Sequence, residues 1–371
     1  KLFKGKKAFT VNGLMKMHLM AGKVYAEFPI ELLNRDLALT SSIEDISDNG
    51  EGVVGQFAGR VNQFRFTLQD SMLQARLVRR YGVKNTGMGK NADQIIERSN
   101  TPGIFQSYKI LAYTPDKKAV VVDMTELFLE SSRLTNPFPS YAGNSLYGFV
   151  QRIHKFQSQR SELLGICGND NSMSVRCNLG FNVDRLVLGS FMQAKDVPVS
   201  VTVNKILMLL PEDPMRPRLA DSRIGVNAII QTELPDVCQG IKTYYITKRW
   251  RIEPVDEIRY KQGEMVDVKK PIVFYIDTLM PDSWIKYVKA GAEAWNAAFE
   301  KIGLRNVVRT ELFPKDSSFD AGDIHNSVIR YAPSWMYYPQ YSMHTDPRTG
   351  EILNASVYLP ANVASYFYTS R

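Results

Sequence analysis

The stretch that most constrains the fold lies at residues 270–303 and reads KPIVFYIDTLMPDSWIKYVKAGAEAWNAAFEKIG. Residues 272–277 are rich in β-branched and aromatic side chains, which predicts a buried strand. Pro281 and Asp282 then begin a helix, and Gly303 ends it. A strand followed by a helix that must pack on it indicates an α/β unit.

The predicted helix carries one apolar face. Its members fall at steps of three and four, which places them on one side of the helix. They are Ile285, Val288, Ala292, Trp295, Phe299 and Ile302. We expect this face to pack on the strand with Trp295 buried, so that Trp295→Ala costs about 3–5 kcal/mol.

The rest of the chain is typical of β-structure. A chain of 371 residues is too long for one ordinary core, and two or three domains are expected. Short strands and tight turns, such as KMHLMAGKVYAEF, fill residues 1–130. A loop rich in Pro, Gly, Ser and Asn at 130–145 suggests a boundary, and strands resume after it. We therefore predict an α+β protein. Its β-rich domains with antiparallel sheets span 1–130 and 131–265, and an α/β unit spans 266–371.

The second β-rich domain contains a proline-rich connector, PEDPMRPRLADSRIGV. Its three prolines exclude both a helix and a central strand, so it is an extended, pinned segment. We expect Arg216, Arg218, Asp221 and Arg223 to lock it through ion pairs. A structural clamp is the favoured interpretation, and a direct role at a site is the alternative.

Charge and hydropathy argue against two function classes. The formal net charge is +8, but the basic residues are scattered, which favours a solvated surface over nucleic-acid binding. Polyanion binding is the weakest alternative. No apolar run approaches the roughly 20 residues that span a bilayer, so we expect no membrane-spanning helix.

The three cysteines have no zinc-finger spacing. Cys167 and Cys177 flank a segment that is typical of a hairpin loop. A disulfide between them and two free buried thiols are both open alternatives. Cys238 is left over in either case.

The sequence contains no complete active site. None of the four histidines, His18, His154, His325 and His344, lies in an H-E-x-x-H motif, which places two imidazoles on one helical face toward one metal ion. No G-x-S-x-G elbow is present either. We assign no catalytic residue and no metal ligand.

A resemblance enters through a succession of motifs. In order, RPRLAD, RWRIEP, KPIVFYID, AEAWNAAFEKIG, SVIRYAPS and DPRTGEIL resemble the bacterial zinc-dependent metalloproteases of the metzincin-like class. The likeness runs from about residue 8 to the last residue. Ser222 is a small departure, because such proteins usually have proline there. The large departure is that their H-E-x-x-H helix corresponds to sequence after residue 371.

The resemblance implies roles for the α/β unit. Residues 272–277 match the first strand of the peptidase domain, 282–302 its backing helix and 352–359 its edge strand. An edge strand offers unpaired N–H and C=O groups to an extended polypeptide. We therefore expect substrate contacts at Asn354, Ala355, Ser356 and Val357. The alternative is that 352–359 is an internal strand.

The expected function follows from this resemblance. The chain is the N-terminal portion of a zinc-dependent metallopeptidase, a hydrolase, and supplies the substrate-side wall. Zinc is the cofactor of the full-length protein, and this chain alone is expected to be inactive. The expected location is the bacterial periplasm, the outer-membrane surface or the secreted fraction. The alternative is a non-catalytic scaffold that binds a cell-envelope protein partner and keeps a peptidase-like fold.

Overall fold

The protein is β-rich, and antiparallel sheets make up most of it, as predicted. The computed structural model describes residues 5, 7–57, 61–78, 83–85, 89–130, 136–138, 150–187, 191–234, 240–315, 319–334 and 339–369. Most of the predicted boundary loop at 130–145 lies outside the described residues.

Among the described residues, the first part of the chain has ten strands, two helices and one 3-10 turn at Ile30–Leu32. In order they are β1 (Phe9–Val11), β2 (Lys16–Met20), β3 (Lys23–Pro29), β4 (Leu37–Ile46), β5 (Asn62–Gln69), β6 (Met72–Leu77), β7 (Val83–Asn85), α1 (Gly89–Ser99), β8 (Gly103–Lys109), β9 (Ala112–Tyr113), β10 (Ala119–Asp123) and α2 (Thr125–Leu129).

Three long strands and a shorter pair follow. They are β11 (Val150–Asn169), β12 (Ser172–Val187), β13 (Phe191–Leu209), β14 (Ala228–Leu234) and β15 (Lys242–Thr247).

The last part alternates helices and strands. Its elements are α3 (Glu257–Lys261), β16 (Val266–Asp267), β17 (Ile272–Ile276), α4 (Asp282–Glu293), α5 (Asn296–Glu300), β18 (Leu304–Arg305), β19 (Val308–Leu312), β20 (Ser327–Ala332), β21 (Gln340–Thr345), β22 (Ile352–Pro360) and α6 (Val363–Thr369).

One seven-stranded sheet spans the predicted boundary at residue 130. Its order is β11-β12-β13-β4-β5-β6-β8. Strand β4 pairs with β5 on one side and with β13 on the other, and Ser41 lies opposite Lys205. The two predicted β-rich domains therefore share a sheet.

Alternating side chains build the core between this sheet and the five-stranded sheet β1-β2-β3-β10-β9. Strand β3 shows the pattern, because Val24, Ala26 and Phe28 are buried while their neighbours are more exposed. The Phe28 ring lies 4.7 Å from the Phe66 ring across the two layers. Burial of side chains of this size stabilises the fold by about 1.5–3 kcal/mol each.

The hairpin between β11 and β12 decides the cysteine alternatives. Cys167 lies opposite Ser174, whereas Cys177 lies opposite Leu163, so the two cysteines are out of register. Both thiols are free, and only Cys177 is buried. Burial raises the pKa of Cys177 to about 11. Cys238 lies outside the described residues.

The connector is a clamp, but the four charges predicted to lock it do not form the clamp. Asp221 and Arg223 pair only with each other, at an exposed position. Arginines from later in the chain instead donate hydrogen bonds to connector carbonyls. The pairs are Arg348 to Pro211, Arg249 to Arg216 and Arg251 to Asp213.

The last part of the chain forms a five-stranded sheet in the order β19-β17-β20-β22-β21. The first four strands are parallel, and β21 is antiparallel to β22. Helix α4 packs on one face through Ile285, Val288 and Ala292, which pack against the buried cluster that includes Ile276 and Ile329. The predicted strand and the packed helix are confirmed.

The helix departs from prediction at Trp295. It begins at Asp282 and ends before Gly303, where φ is +81°, but an irregular turn separates α4 from α5. The inward position after Ala292 is taken by Asn296, whose amide bonds the N–H and C=O of Val308 at 2.8 Å. Trp295 is consequently 67% exposed, and its predicted burial is wrong.

A buried lysine lies under helix α2. Lys205 is 1% exposed, and its ammonium group donates to the carbonyl of Glu130 at 2.5 Å. That carbonyl belongs to the C-cap of α2, where a cation interacts favourably with the helix dipole. Burial nevertheless lowers the pKa of Lys205 to about 8.

The depressed pKa of Lys205 predicts an alkaline gain in stability. Between pH 8 and 10.5 the unfolded chain holds a proton that the native state has lost. The free energy of unfolding therefore rises with pH across this window, by about 3 kcal/mol in total. Lys205→Met removes this rise in urea titrations. The exposed Lys109→Met keeps it, and an equal rise in both variants contradicts the assignment.

Truncations on helix α4 test the corrected face. Trp295→Ala costs less than about 1 kcal/mol, because an exposed ring loses little burial. Ile285→Ala, which removes a contact with the sheet, costs about 2 kcal/mol. Urea denaturation of both variants measures the difference. If Trp295→Ala loses more free energy of unfolding than Ile285→Ala, the Trp295 side chain is buried and the corrected face is wrong.

Candidate substrate-binding edge

The residues predicted to contact substrate lie in an internal strand. Strand β22 pairs with β20 on one side and with β21 on the other. Asn354, Ala355 and Ser356 are buried, and Val357 is half-buried. The edge-strand prediction for 352–359 is wrong, and these residues lack the free backbone groups on which their substrate contact depends. The order of the sheet moves the edge to β21.

The opposite edge of the sheet is closed by side chains. Beyond the Asn296 bonds to Val308, the Glu293 carboxylate accepts hydrogen bonds from the N–H of Thr310 at 3.2 Å and from its hydroxyl at 2.5 Å. Backbone groups at a sheet edge invite pairing with other chains. Helices α4 and α5 therefore cap the β19 edge.

The pairing of β22 tells which backbone groups of β21 face outward. The N–H of Ala355 points to β20, where it donates to the Ser327 hydroxyl at 3.2 Å. Because backbone groups alternate sides along a strand, its neighbours in β22 point to β21. They face Ser342 and His344, whose N–H and C=O groups therefore point inward.

The outward groups of β21 are the N–H and C=O of Tyr341 and Met343. Within the described ranges, no strand, turn or side chain bonds them. The Tyr341 side chain is 55% exposed, and its hydroxyl accepts a hydrogen bond from the Asn227 amide at 2.8 Å. Strand β21 thus presents a short, uncapped edge to an extended chain.

The turn at residues 346–350 joins β21 to β22, and it is the DPRTGEI motif. Asp346 is fully buried. Its carboxylate accepts from the N–H of Arg348 at 2.8 Å and pairs with the Arg348 guanidinium at 2.7 Å. The N–H of Asp346 donates to the carbonyl of Glu351 at 2.8 Å. These bonds fix the register of the hairpin that carries the edge.

Gly350 lets this turn approach the backbone of Thr247 and Arg249 closely. Its φ is +77°, and an added Cβ atom would lie 2.3 Å from the carbonyl oxygen of Thr247. The N–H of Arg249 donates to the carbonyl of Gly350 at 2.9 Å. Only glycine combines this conformation with this approach.

The face of the sheet opposite α4 is covered by residues 48–57, the cover segment. Gly55, with φ +87°, lies directly on Arg330, since a Cβ atom there would come 2.5 Å from Arg330 Cδ. Burial lowers the pKa of Arg330 against the opposing effect of Asp277, Glu44 and Asp320. The cover segment therefore encloses polar groups.

A carboxylate anchors the cover segment to the long hairpin. Glu51 has no exposed side-chain surface and accepts from His154 Nε2 at 2.9 Å and from Arg185 Nε at 2.9 Å. Burial by itself raises the pKa of Glu51, but the His154 hydrogen bond and the Arg152 charge outweigh it and lower the pKa. An ionised Glu51 holds the segment in place.

His344 joins the edge strand to the cover segment. Its ring stacks on Phe57 at 3.7 Å, and its Nε2 lies 2.5 Å from the Thr40 hydroxyl. Its Nδ1 has no hydrogen-bond partner among the described residues. Complete burial lowers the pKa of His344 to about 3, so the imidazole is neutral.

The histidines have partners other than a metal. His18 contacts Thr10 and Glu27, and His325 contacts Asp323. Within the described ranges, no three His, Cys, Asp or Glu side chains come together to hold a metal ion. Nor does any described helix have both the length and the hydropathy to cross a bilayer.

Sequence reasoning missed the edge strand itself. We predicted no strand within residues 337–344, although QYSMHT is short enough for an edge strand. The side chains of Ser342 and His344 contact Phe57 of the cover segment. Because both side chains are polar, the strand lacks the alternation of apolar and polar residues that predicts a half-buried strand. Residues 337 and 338 lie outside the described part of the chain.

Comparison with known proteins places most of the β-rich part in one family. The family described as Domain of unknown function (DUF5117) matches residues 55–255, which is more than half of the 371 residues. The match ends before the sheet β19-β17-β20-β22-β21 begins. No curated protein and no solved structure matches the chain.

The burial of His344 predicts an acid-sensitive contact. Between pH 6.5 and 3 the unfolded chain binds a proton that the native imidazole excludes. The free energy of unfolding therefore falls as pH falls through this window, by up to about 5 kcal/mol. Urea titrations of His344→Gln show a smaller fall than the unchanged chain. The exposed His325→Gln is the control and keeps the full fall; a full fall in His344→Gln as well overturns the prediction.

Proposed function

The chain belongs to the DUF5117 family, a family of unknown function, and we propose that it is the N-terminal portion of a zinc-dependent metallopeptidase. In this proposal β21 holds an extended polypeptide substrate by backbone pairing. The observation that carries it is the uncapped outer side of β21, opposite a β19 edge that helix side chains close.

Backbone pairing suits a polypeptide substrate. The outward groups of Tyr341 and Met343 supply two donors and two acceptors that any extended peptide matches, whatever its side chains. The Asp346 turn and the cover segment hold the strand from two sides, so the edge is formed before substrate arrives. Preorganisation of this kind lowers the ordering cost of binding.

The resemblance of KPIVFYID, AEAWNAAFEKIG and DPRTGEIL to metzincin-like metalloproteases supports the peptidase part of the proposal. Those motifs form β17, the α4–α5 helical segment, and the turn with β22. The resemblance also supports a location in the bacterial cell envelope or outside the cell.

The described residues do not fit a zinc ion, since no ligand group is assembled among them. We therefore derive no catalytic step from this chain. Zinc, where the full-length protein holds it, would polarise the scissile carbonyl and activate water. The part of this chain is to bind and orient the polypeptide beside that site.

A proline scan of β21 tests the edge. Tyr341→Pro and Met343→Pro each remove an outward N–H that the sheet does not use, and edge strands tolerate proline. We expect both variants to fold but to bind reduced, alkylated casein about tenfold more weakly. Fluorescence anisotropy measures the binding, and thermal unfolding checks the fold.

Matched variants separate the backbone from the side chains. Tyr341→Ala and Met343→Ala keep the backbone donors and retain binding, whereas Ser342→Pro loses an inward ladder bond and lowers the melting temperature. Equal binding by the proline and alanine variants refutes pairing at this edge. In the full-length gene product, chelator-sensitive casein cleavage supports the peptidase, and casein binding without cleavage favours the non-catalytic scaffold.

A further inference from the structure

The connector presents side chains that its role as a clamp does not use. Its backbone carbonyls accept the hydrogen bonds that hold it. Arg249 donates to the carbonyl of Arg216 at 2.7 Å, and the N–H of Thr247 donates to the carbonyl of Arg218 at 2.8 Å. The side chains of Arg216 and Arg218 are exposed. The clamp therefore explains the backbone of the RPR motif but not its arginine side chains.

Arg216, Arg218 and Arg249, the arginine cluster, have no carboxylate partner. Within the part of the chain that the structure describes, none of the three forms an ion pair, because the nearby carboxylates already have other partners. The pairs are Glu212 with Arg35, Asp213 and Glu351 with Arg251, and Asp221 with Arg223. The arginine cluster therefore carries positive charge that its described neighbours leave unbalanced.

The charges of the arginine cluster act on one another. Burial lowers the pKa of Arg249, and the charges of Arg218 and Arg251 lower it further, against the opposing effect of Glu351. Two separate stretches, RPR and RWR, thus bring their guanidinium groups close together. Like charges held close together repel one another and attract an anion.

The connector arginines are carried by a rigid support. Pro217 restricts Arg216 to an extended conformation, and Leu219 forms a β-bridge with Ile246. Side chains two residues apart in an extended segment point to the same side, so Arg216 and Arg218 face solvent together. Because the backbone is fixed before a ligand arrives, little ordering cost opposes binding.

Apolar side chains of the connector accompany the arginines. Leu219 is 67% exposed, and Ile224 is 58% exposed. Guanidinium groups bind carboxylates through paired hydrogen bonds, and arginine is enriched at protein interfaces. A polypeptide supplies both carboxylates and apolar side chains, whereas a phosphate backbone has no apolar side chain to pack on Leu219 and Ile224. The surface therefore fits a polypeptide better than a nucleic acid.

We propose that the connector is a docking surface for a polypeptide, whose carboxylate binds Arg216 and Arg218 and whose apolar side chains pack on Leu219 and Ile224. The carboxylate comes from an acidic side chain or from a C-terminus. The proposal is separate from the β21 edge, because none of these residues belongs to that strand.

Fluorescence anisotropy of the whole chain tests this surface with three labelled peptides that share one length and one leucine–serine framework. The first carries glutamates and an amidated C-terminus. The second has glutamine in place of each glutamate, and the third is the glutamine peptide with a free C-terminal carboxylate. We expect at least one carboxylate peptide to bind about tenfold more tightly than the amidated glutamine peptide. Preference for the first identifies an acidic side chain, and preference for the third identifies a C-terminus.

Matched arginine variants locate the binding. Arg218→Gln keeps the carbonyl that Thr247 bonds but removes the preference for a carboxylate, and Arg216→Gln acts in the same direction. Arg309→Gln removes an exposed arginine of β19 and leaves the preference unchanged. Thermal unfolding confirms that the variants fold.

Three results overturn the proposal. The first is equal binding of all three peptides, which reflects contacts other than a carboxylate. The second is equal weakening by Arg218→Gln and Arg309→Gln, which reflects net charge alone. The third is binding of duplex DNA as tightly as the glutamate peptide, which assigns the surface to a phosphate backbone.

Discussion

The ion pair of the buried Asp346 with the half-buried Arg348 is the interaction on which the arrangement of the molecule depends. Its guanidinium bonds Asp346 within the turn, Asp36 of the β-rich part and the carbonyl of Pro211 in the connector. One side chain thereby joins three segments far apart in sequence. Removing one partner of such a pair leaves an uncompensated buried charge, which is costly. The DPRTGEI motif therefore has an architectural role, because it joins these three segments.

Local patterns predicted what depends on local physics. The strand at residues 272–277, the helix start at Asp282 and its end at Gly303 follow from β-branched content, proline and glycine, and the structure confirms them. The burial of Trp295 was predicted wrongly because a residue three or four positions after Ala292 can lie on the same helical face. In the structure Asn296 takes the inward position, because its amide bonds the free backbone groups of Val308. That match depends on a strand edge that periodicity does not reveal.

The candidate site was harder to predict, because its position depends on strand order. The resemblance to metzincin-like metalloproteases gave β22 the edge role in the prediction. After β20 the chain forms β21 at the outside of the sheet and then turns back as β22, which fills the position between β20 and β21. His344 and Asn354 are both buried, and His344 contacts Thr40 of the β-rich part. From sequence alone they resemble solvent-facing positions, so the buried interface was invisible.

Strand β4 has a consequence for how this chain divides. It hydrogen-bonds to neighbours that come from both sides of residue 130, and its Thr40 also contacts His344 of the last sheet. A single cut in the backbone near that position would leave two fragments interlocked through a common ladder of amide bonds. Residues before 130 thus contribute strands to the same sheet as residues after it. Releasing them as a propeptide would require breaking the hydrogen bonds between β4 and β13.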